Sequence, residues 1–196
     1  MYQNYQTDAL VLGVAPIGEG SARFTLLTRA LGLVTASAQG VRKEKSKLRY
    51  SLQPFSCLSV VLVRGKETWK VVGALNADHL FVRLKGDPAK RALVARLAKF
   101  SERMLQGEEK NEYLFATLSD CFVFLSNSTF SPEELLTLEA LTVARMLHSL
   151  GYFKGEPRHG NLFETTVCTP ALILALKKEK PVLIRAVNTS LKESQL

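Results

Sequence analysis

Over the first eighty residues apolar and polar positions alternate in short runs, and beyond residue 87 they recur every three to four positions. Asp8–Val14 is an apolar run with β-branched members, and Ser21–Thr28 follows a Gly18-Glu19-Gly20 turn. Leu33–Ala38 sets Val34, Ala36 and Ala38 against Thr35 and Ser37. Phe55–Val63 and Glu67–Leu75 are two further runs, the second placing Trp69, Val71 and Leu75 opposite Thr68 and Lys70. Arg64-Gly65-Lys66 joins them tightly. Five strands with short turns and one longer connection near residues 40–51 predict a small closed barrel, which leaves no sheet edge exposed. Strand number by itself does not separate an OB-fold from an SH3-like barrel.

The helical half has explicit start and stop signals. Asp87-Pro88 supplies a capping carboxylate and then a proline where no amide donor is needed, ahead of the stripe Leu93, Leu97, Phe100 and Met104. Asn111 precedes a second helix with Leu114, Leu118, Cys121 and Leu125 on one side. Ser131-Pro132-Glu133-Glu134 has the spacing of a capping box. The apolar positions from Leu135 to Leu150 surround that helix, which predicts a place at the centre of a bundle, and Gly151 ends it. A Gly- and Pro-containing loop over 151–160 leads to shorter helices at Pro170–Lys178 and Val182–Glu193. The predicted class is α+β, with a barrel domain over 1–82 and an all-α domain over 83–196.

Charge changes this picture from fold to function. The chain of 196 residues carries +8, and residues 1–85 hold 12 Lys/Arg against 5 Asp/Glu, whereas residues 86–196 hold 14 against 13. So uneven a distribution predicts an anionic partner for the barrel, nucleic acid or a membrane surface. No apolar run approaches the roughly 20 residues of a membrane helix, and Met1-Tyr2-Gln3-Asn4-Tyr5 lacks the features of a secretion signal. Cys57, Cys121 and Cys168 stand far apart, which excludes a disulfide framework or compact thiolate zinc site and suits the reducing cytoplasm.

The sharpest candidate is Arg42-Lys43-Glu44-Lys45-Ser46-Lys47-Leu48-Arg49, where Arg42, Lys43, Lys45, Lys47 and Arg49 put five cations into eight positions of the longest barrel loop. Several mobile cations can follow a backbone that carries one charge per nucleotide. Arg23, Arg64 and Lys66 extend the predicted DNA-binding set, with Arg29 and Lys70 as further possibilities set by strand register. Phe24, Phe55 and Trp69 read as core residues, and Tyr50 reads equally as core or as a surface on which a base could stack. Signatures of catalysis are missing: Gly18-Glu19-Gly20 lacks a phosphate-loop lysine, no Ser or Cys stands in a nucleophile motif, and His79, His148 and His159 are dispersed. The reading is a non-enzyme with no cofactor and no metal, since His159 with Cys168 is an incomplete ligand set. A basic barrel of this kind also serves an RNA-binding module, or an adaptor that docks an acidic protein.

Tyr5-Gln6-Thr7-Asp8-Ala9-Leu10-Val11-Leu12, Gly18-Glu19, Thr25-Leu26-Leu27-Thr28-Arg29-Ala30-Leu31-Gly32, Gln39-Gly40-Val41-Arg42-Lys43 and Leu52-Gln53-Pro54-Phe55 together resemble, in order and spacing, the amino-terminal domain of the bacterial recombination mediator RecO. The resemblance implies an OB-fold followed by a helical domain in a cytoplasmic, nucleoid-associated protein. It implies binding to single- and double-stranded DNA, annealing of complementary strands, and help in replacing single-strand-binding protein (SSB) by RecA. The implied partners are RecR, RecF in some cases, and the acidic carboxy-terminal tail of SSB. Many family members carry a four-cysteine zinc module after the central helices; here Cys168 alone stands in that region.

Overall fold

The computed structural model describes residues 3–66, 68–105, 107–153 and 161–194. It divides into two compact units, Met1–Glu112 and Tyr113–Leu196. The first contains 18 Lys/Arg and 10 Asp/Glu and the second eight of each, so the whole net charge belongs to the first unit.

The first unit is built on five strands, β1 (Asn4–Ile17), β2 (Ser21–Thr28), β3 (Gly32–Ala38), β4 (Cys57–Arg64) and β5 (Trp69–Asp78). They close in the order β1-β2-β3-β5-β4, with β3 and β5 parallel and the other pairs antiparallel. This is the five-stranded Greek-key barrel of an OB-fold. The first strand is longer than the predicted Asp8–Val14 because its two ends have different partners, Asn4–Leu10 pairing with β4 and Ala9–Ile17 with β2. The fourth begins two residues later than predicted. Phe55 has a positive φ of 63°, which stops a strand there, although its N–H still donates to the Val11 carbonyl (2.8 Å). Alternate residues point inward: Ala9, Val11, Phe24, Leu26, Val34, Ala36, Leu58, Val60, Leu62, Trp69 and Val71 form one core. After the barrel come a short helix, α2 (Leu80–Arg83), and α3 (Pro88–Met104), whose first turn is capped by Asp87 accepting from the Lys90 N–H (3.0 Å). Within the 40–51 connection the chain forms one helical segment, α1 (Lys47–Ser51).

The second unit consists of α4 (Glu112–Asn127), which starts at the unit's edge, α5 (Pro132–Ser149), α6 (Pro170–Leu176) and α7 (Lys180–Glu193). The predicted capping box is present: the Ser131 hydroxyl accepts from the Glu134 N–H (3.3 Å) and Glu134 accepts from the Ser131 N–H (2.7 Å). Leu114, Leu118, Cys121 and Leu125 are all fully buried, as their spacing predicts. The fifth helix buries residues on most of its circumference, from Thr137 to Leu147. Gly151 adopts a positive φ of 76° just past its end. His148, placed by sequence near the favourable end of a helix dipole, also stacks its ring on Phe163 (centroids 4.2 Å apart). Glu133 lies between Lys177 and Lys180, each 2.9 Å away; these hydrogen bonds, Lys180 first, hold its carboxyl below the usual range. Among the described residues no helix is long and apolar enough to cross a membrane.

Burial controls the thiols of this unit. Desolvation, with the neighbouring Cys168 thiol as a second cause, pushes Cys121 up to about 12, and burial raises Cys168 as well. At pH 8 a group titrating near 12 is a thiolate about once in ten thousand molecules, and the thiolate is the reactive form. Cys121 and Cys168 should therefore resist a thiol reagent in the native protein and react only on unfolding, whereas the partly exposed Cys57 reacts first. Mass spectrometry after a timed alkylation checks this; early labelling of Cys121 would contradict it.

Candidate nucleic-acid interface

Apolar anchors decide where the cations of the long loop point. Val41 and Leu52 are buried in the barrel core and Leu48 packs partly against it, so the intervening Arg42, Lys43, Lys45, Lys47 and Arg49 are turned to solvent. Gly40, with a φ of 65°, starts the turn, and Lys43 N–H to Gly40 O (3.1 Å) and Ser46 N–H to Lys43 O (3.0 Å) continue it. The loop is tied to the β1–β2 hairpin by two donations from Arg42: its N–H to Gly20 O (3.0 Å) and its guanidinium Nη1 to Gly18 O (2.8 Å). The stem of Lys43 runs beside Gly20, where an added Cβ would lie 3.6 Å from Lys43 Cε. Glu19 and Glu44 are exposed on the same turns, yet none of the five loop cations forms an ion pair among the described residues.

From that hairpin an outward-facing rank crosses the barrel. The register places Ala15, Arg23, Ser37, Lys70 and Val63 side by side on β1, β2, β3, β5 and β4. In the neighbouring ranks Ala22, Phe24, Ala36, Ala38 and Trp69 point inward, whereas Arg23 and Lys70 are exposed, separated by one strand and therefore by roughly 10 Å. A depression of about 280 Å³ lined by Ile17, Ser21, Arg23, Thr35, Ser37, Gln39 and Thr68 meets, at Thr68, a second of about 640 Å³ lined by Val63, Arg64, Gly65, Lys66, Thr68, Lys70 and Val72. The two depressions, adjoining at Thr68 and together called the furrow below, lie over the β2–β3 face and the β4–β5 turn, the surfaces through which OB-folds hold oligonucleotides.

The furrow joins predicted cations unequally. Arg23 and Lys66 line it and stay exposed, and Lys70 proves as well placed as either. Arg64 lines it too, but its guanidinium lies 4.8 Å from the Trp69 ring centroid and donates to Glu108 Oε1 (2.6 Å). Arg29 lies elsewhere, paired with Asp8 (3.2 Å) and Glu112 (3.7 Å). Sequence reasoning did not pick out Ser21, Ser37 and Thr68, which also line the furrow; strand alternation marked Ser37 and Thr68 only as polar. Two of the aromatics are inside, while Phe55, expected in the core, is only partly buried. Phe24 is buried, and Trp69, 4% exposed, packs edge-on against Tyr5 (5.1 Å) and donates its indole N–H to Glu108 (2.9 Å). Tyr50, 69% exposed on α1, is the ring left at the surface of this loop. Such a furrow offers point charges, hydroxyls and aliphatic carbons, which suit phosphate and sugar and carry no base code.

Among the described residues no three His, Cys, Asp or Glu side chains gather as a metal site; His159 lies outside the described residues, and Cys168 receives a hydrogen bond from Arg145 (3.4 Å).

Residues 1–74 match the family model described as recombination protein O N terminal. The DNA repair protein RecO of Heliobacterium modesticaldum is 34% identical over 148 residues, which is 76% of this chain and 52% of that protein. The RecO of Pelotomaculum thermopropionicum is 32% identical over 143 residues (73% and 55%), and that of Myxococcus xanthus 29% over 142 residues (72% and 58%). The chain thus spans about half the length of the curated relatives it matches. By its amino-terminal domain and by relatives that align with about three quarters of its length, this chain belongs to the RecO family.

Proposed function

We propose that the chain acts in DNA repair and recombination as a non-catalytic mediator, gripping single- and double-stranded DNA by the sugar–phosphate backbone and annealing complementary strands. The observation that carries this reading is the open furrow of Arg23, Lys66 and Lys70 that adjoins the exposed 42–49 loop on a unit holding all of the net charge. Bound cations lower the repulsion that an approaching second strand meets. Contacts confined to phosphates leave the bases free to pair.

In the same reading the protein works on strands coated by SSB and helps RecA to replace it, together with RecR and in some settings RecF. The acidic tail of SSB needs a cationic groove with an apolar floor. The groove of about 730 Å³ along α3 has that chemistry, with Arg96, Lys99 and Arg103 around Ala95 and Phe100, and with Glu102 at its side.

The test is annealing of complementary strands coated with intact SSB or with SSB lacking its tail. The chain should accelerate annealing in the first case and lose much of that advantage in the second. Equal rates with and without the chain would overturn the mediator reading. Preference for a structured RNA over single-stranded DNA in competition would favour the RNA-binding alternative.

A further inference from the structure

We propose that Glu108 is an internal competitor of the nucleic-acid backbone, holding Arg64 out of the furrow. Of the eight predicted DNA-binding cations, Arg64 is the one paired with a carboxylate among the described residues. Both Glu108 oxygens lie against one nitrogen of Arg64, Nη1, a charge-assisted contact that a phosphate oxygen could make in their place. The same carboxylate accepts the indole N–H of Trp69, which is buried and needs an acceptor.

The backbone beside Glu108 packs against the end of β3. A Cβ added at Gly32 would lie 2.1 Å from the Glu109 carbonyl oxygen, so the strand end and this segment are in direct contact, possible only because residue 32 is glycine. Competition therefore takes place at the side chain. Both partners are about half exposed, and pairs of that kind contribute roughly 0.2–1 kcal/mol, weak enough for a polyanion to contest.

The inference rests on the DNA-binding reading, and its test separates the two. Salt titrations of the full chain with an oligothymidylate would compare the wild type with Glu108→Gln, Glu109→Gln, Arg64→Gln and the Glu108→Gln/Arg64→Gln pair. Glutamine at 108 keeps an acceptor for Trp69, so unchanged Trp69 fluorescence shows that the barrel is intact. Glu108→Gln is expected to bind about two- to fivefold tighter, the range of an exposed ion pair. Its salt slope should steepen by about 0.7, the increment of one phosphate contact on a single strand. Arg64→Gln by itself should leave the slope unchanged, and in the pair it should abolish the gain. Glu109→Gln removes the same charge without touching Arg64 and should leave the slope alone. An unchanged slope in Glu108→Gln, or a shallower one in Arg64→Gln, overturns the inference even where the wild type binds DNA. Absence of salt-dependent binding in the wild type overturns the DNA reading itself.

Discussion

Replacing Lys43, Lys45, Lys47 and Arg49 together by glutamine is expected to weaken binding to single-stranded DNA by about 600-fold at 0.1 M salt. The figure takes each cation as neutralising one phosphate, worth about 0.7 in the slope of log affinity on log salt, and refers the change to 1 M salt. The slope itself should become shallower by about 2.8, from a loop contribution of about −3.5 for all five cations. Arg42 is kept in this variant because its guanidinium ties the loop to Gly18; replacing it would confuse lost charge with a displaced loop. The four altered side chains are exposed and make no ion pair among the described residues, so the fold should not suffer and the melting temperature should stay within a degree or two. A quadruple variant with wild-type salt slope would remove the loop from the interface and leave only the cations of the furrow to hold DNA.

How far the sequence led follows from which interactions are local. Alternation along single strands was enough to place the core face, and Ser131 with Glu134 was enough to place a helix start, because both effects act within a few residues. The exposure of the loop cations was also legible, since Val41, Leu48 and Leu52 are spaced among them and have the core to enter. Contacts distant in sequence were not. Nothing near Arg64 indicates that a carboxylate 44 positions later takes it, and nothing near Arg29 announces Asp8 and Glu112. Only the parallel pairing of Ser37 with Lys70 sets Lys70 in the same rank as Arg23, one strand away. Phe55 looked like strand text because its apolarity said nothing of its positive φ.

Arg145 is the clearest case of a decisive residue that pattern alone disguises, for it sits on α5 among apolar positions and looks like a surface arginine. It is fully buried. Its Nε donates to Leu162 O (2.8 Å), Nη1 to Thr166 O (2.9 Å) and to Cys168 Sγ (3.4 Å), and Nη2 to Val167 O (3.5 Å). One guanidinium thereby organises the irregular segment 162–168, and its acceptors are neutral. Thr166 is held in addition by its hydroxyl, which donates to Asp120. Changing Arg145 to leucine fills part of the space but leaves carbonyls buried without a donor, at about 1–3 kcal/mol for each one that water does not reach. With three carbonyls concerned, the total should reach about 3 kcal/mol or more, against the 5–15 kcal/mol that holds a typical domain together. Urea unfolding followed by far-ultraviolet dichroism should show the helical signal lost at much lower denaturant than in the wild type. Trp69, the single tryptophan, lies in the first unit and reports the barrel separately. Arg145→Lys should recover only a minor part, because an ammonium cannot span carbonyls set apart by a planar fork. If Arg145→Leu unfolded at the wild-type midpoint, the segment would have to be held by its apolar contacts, with the buried guanidinium contributing nothing net.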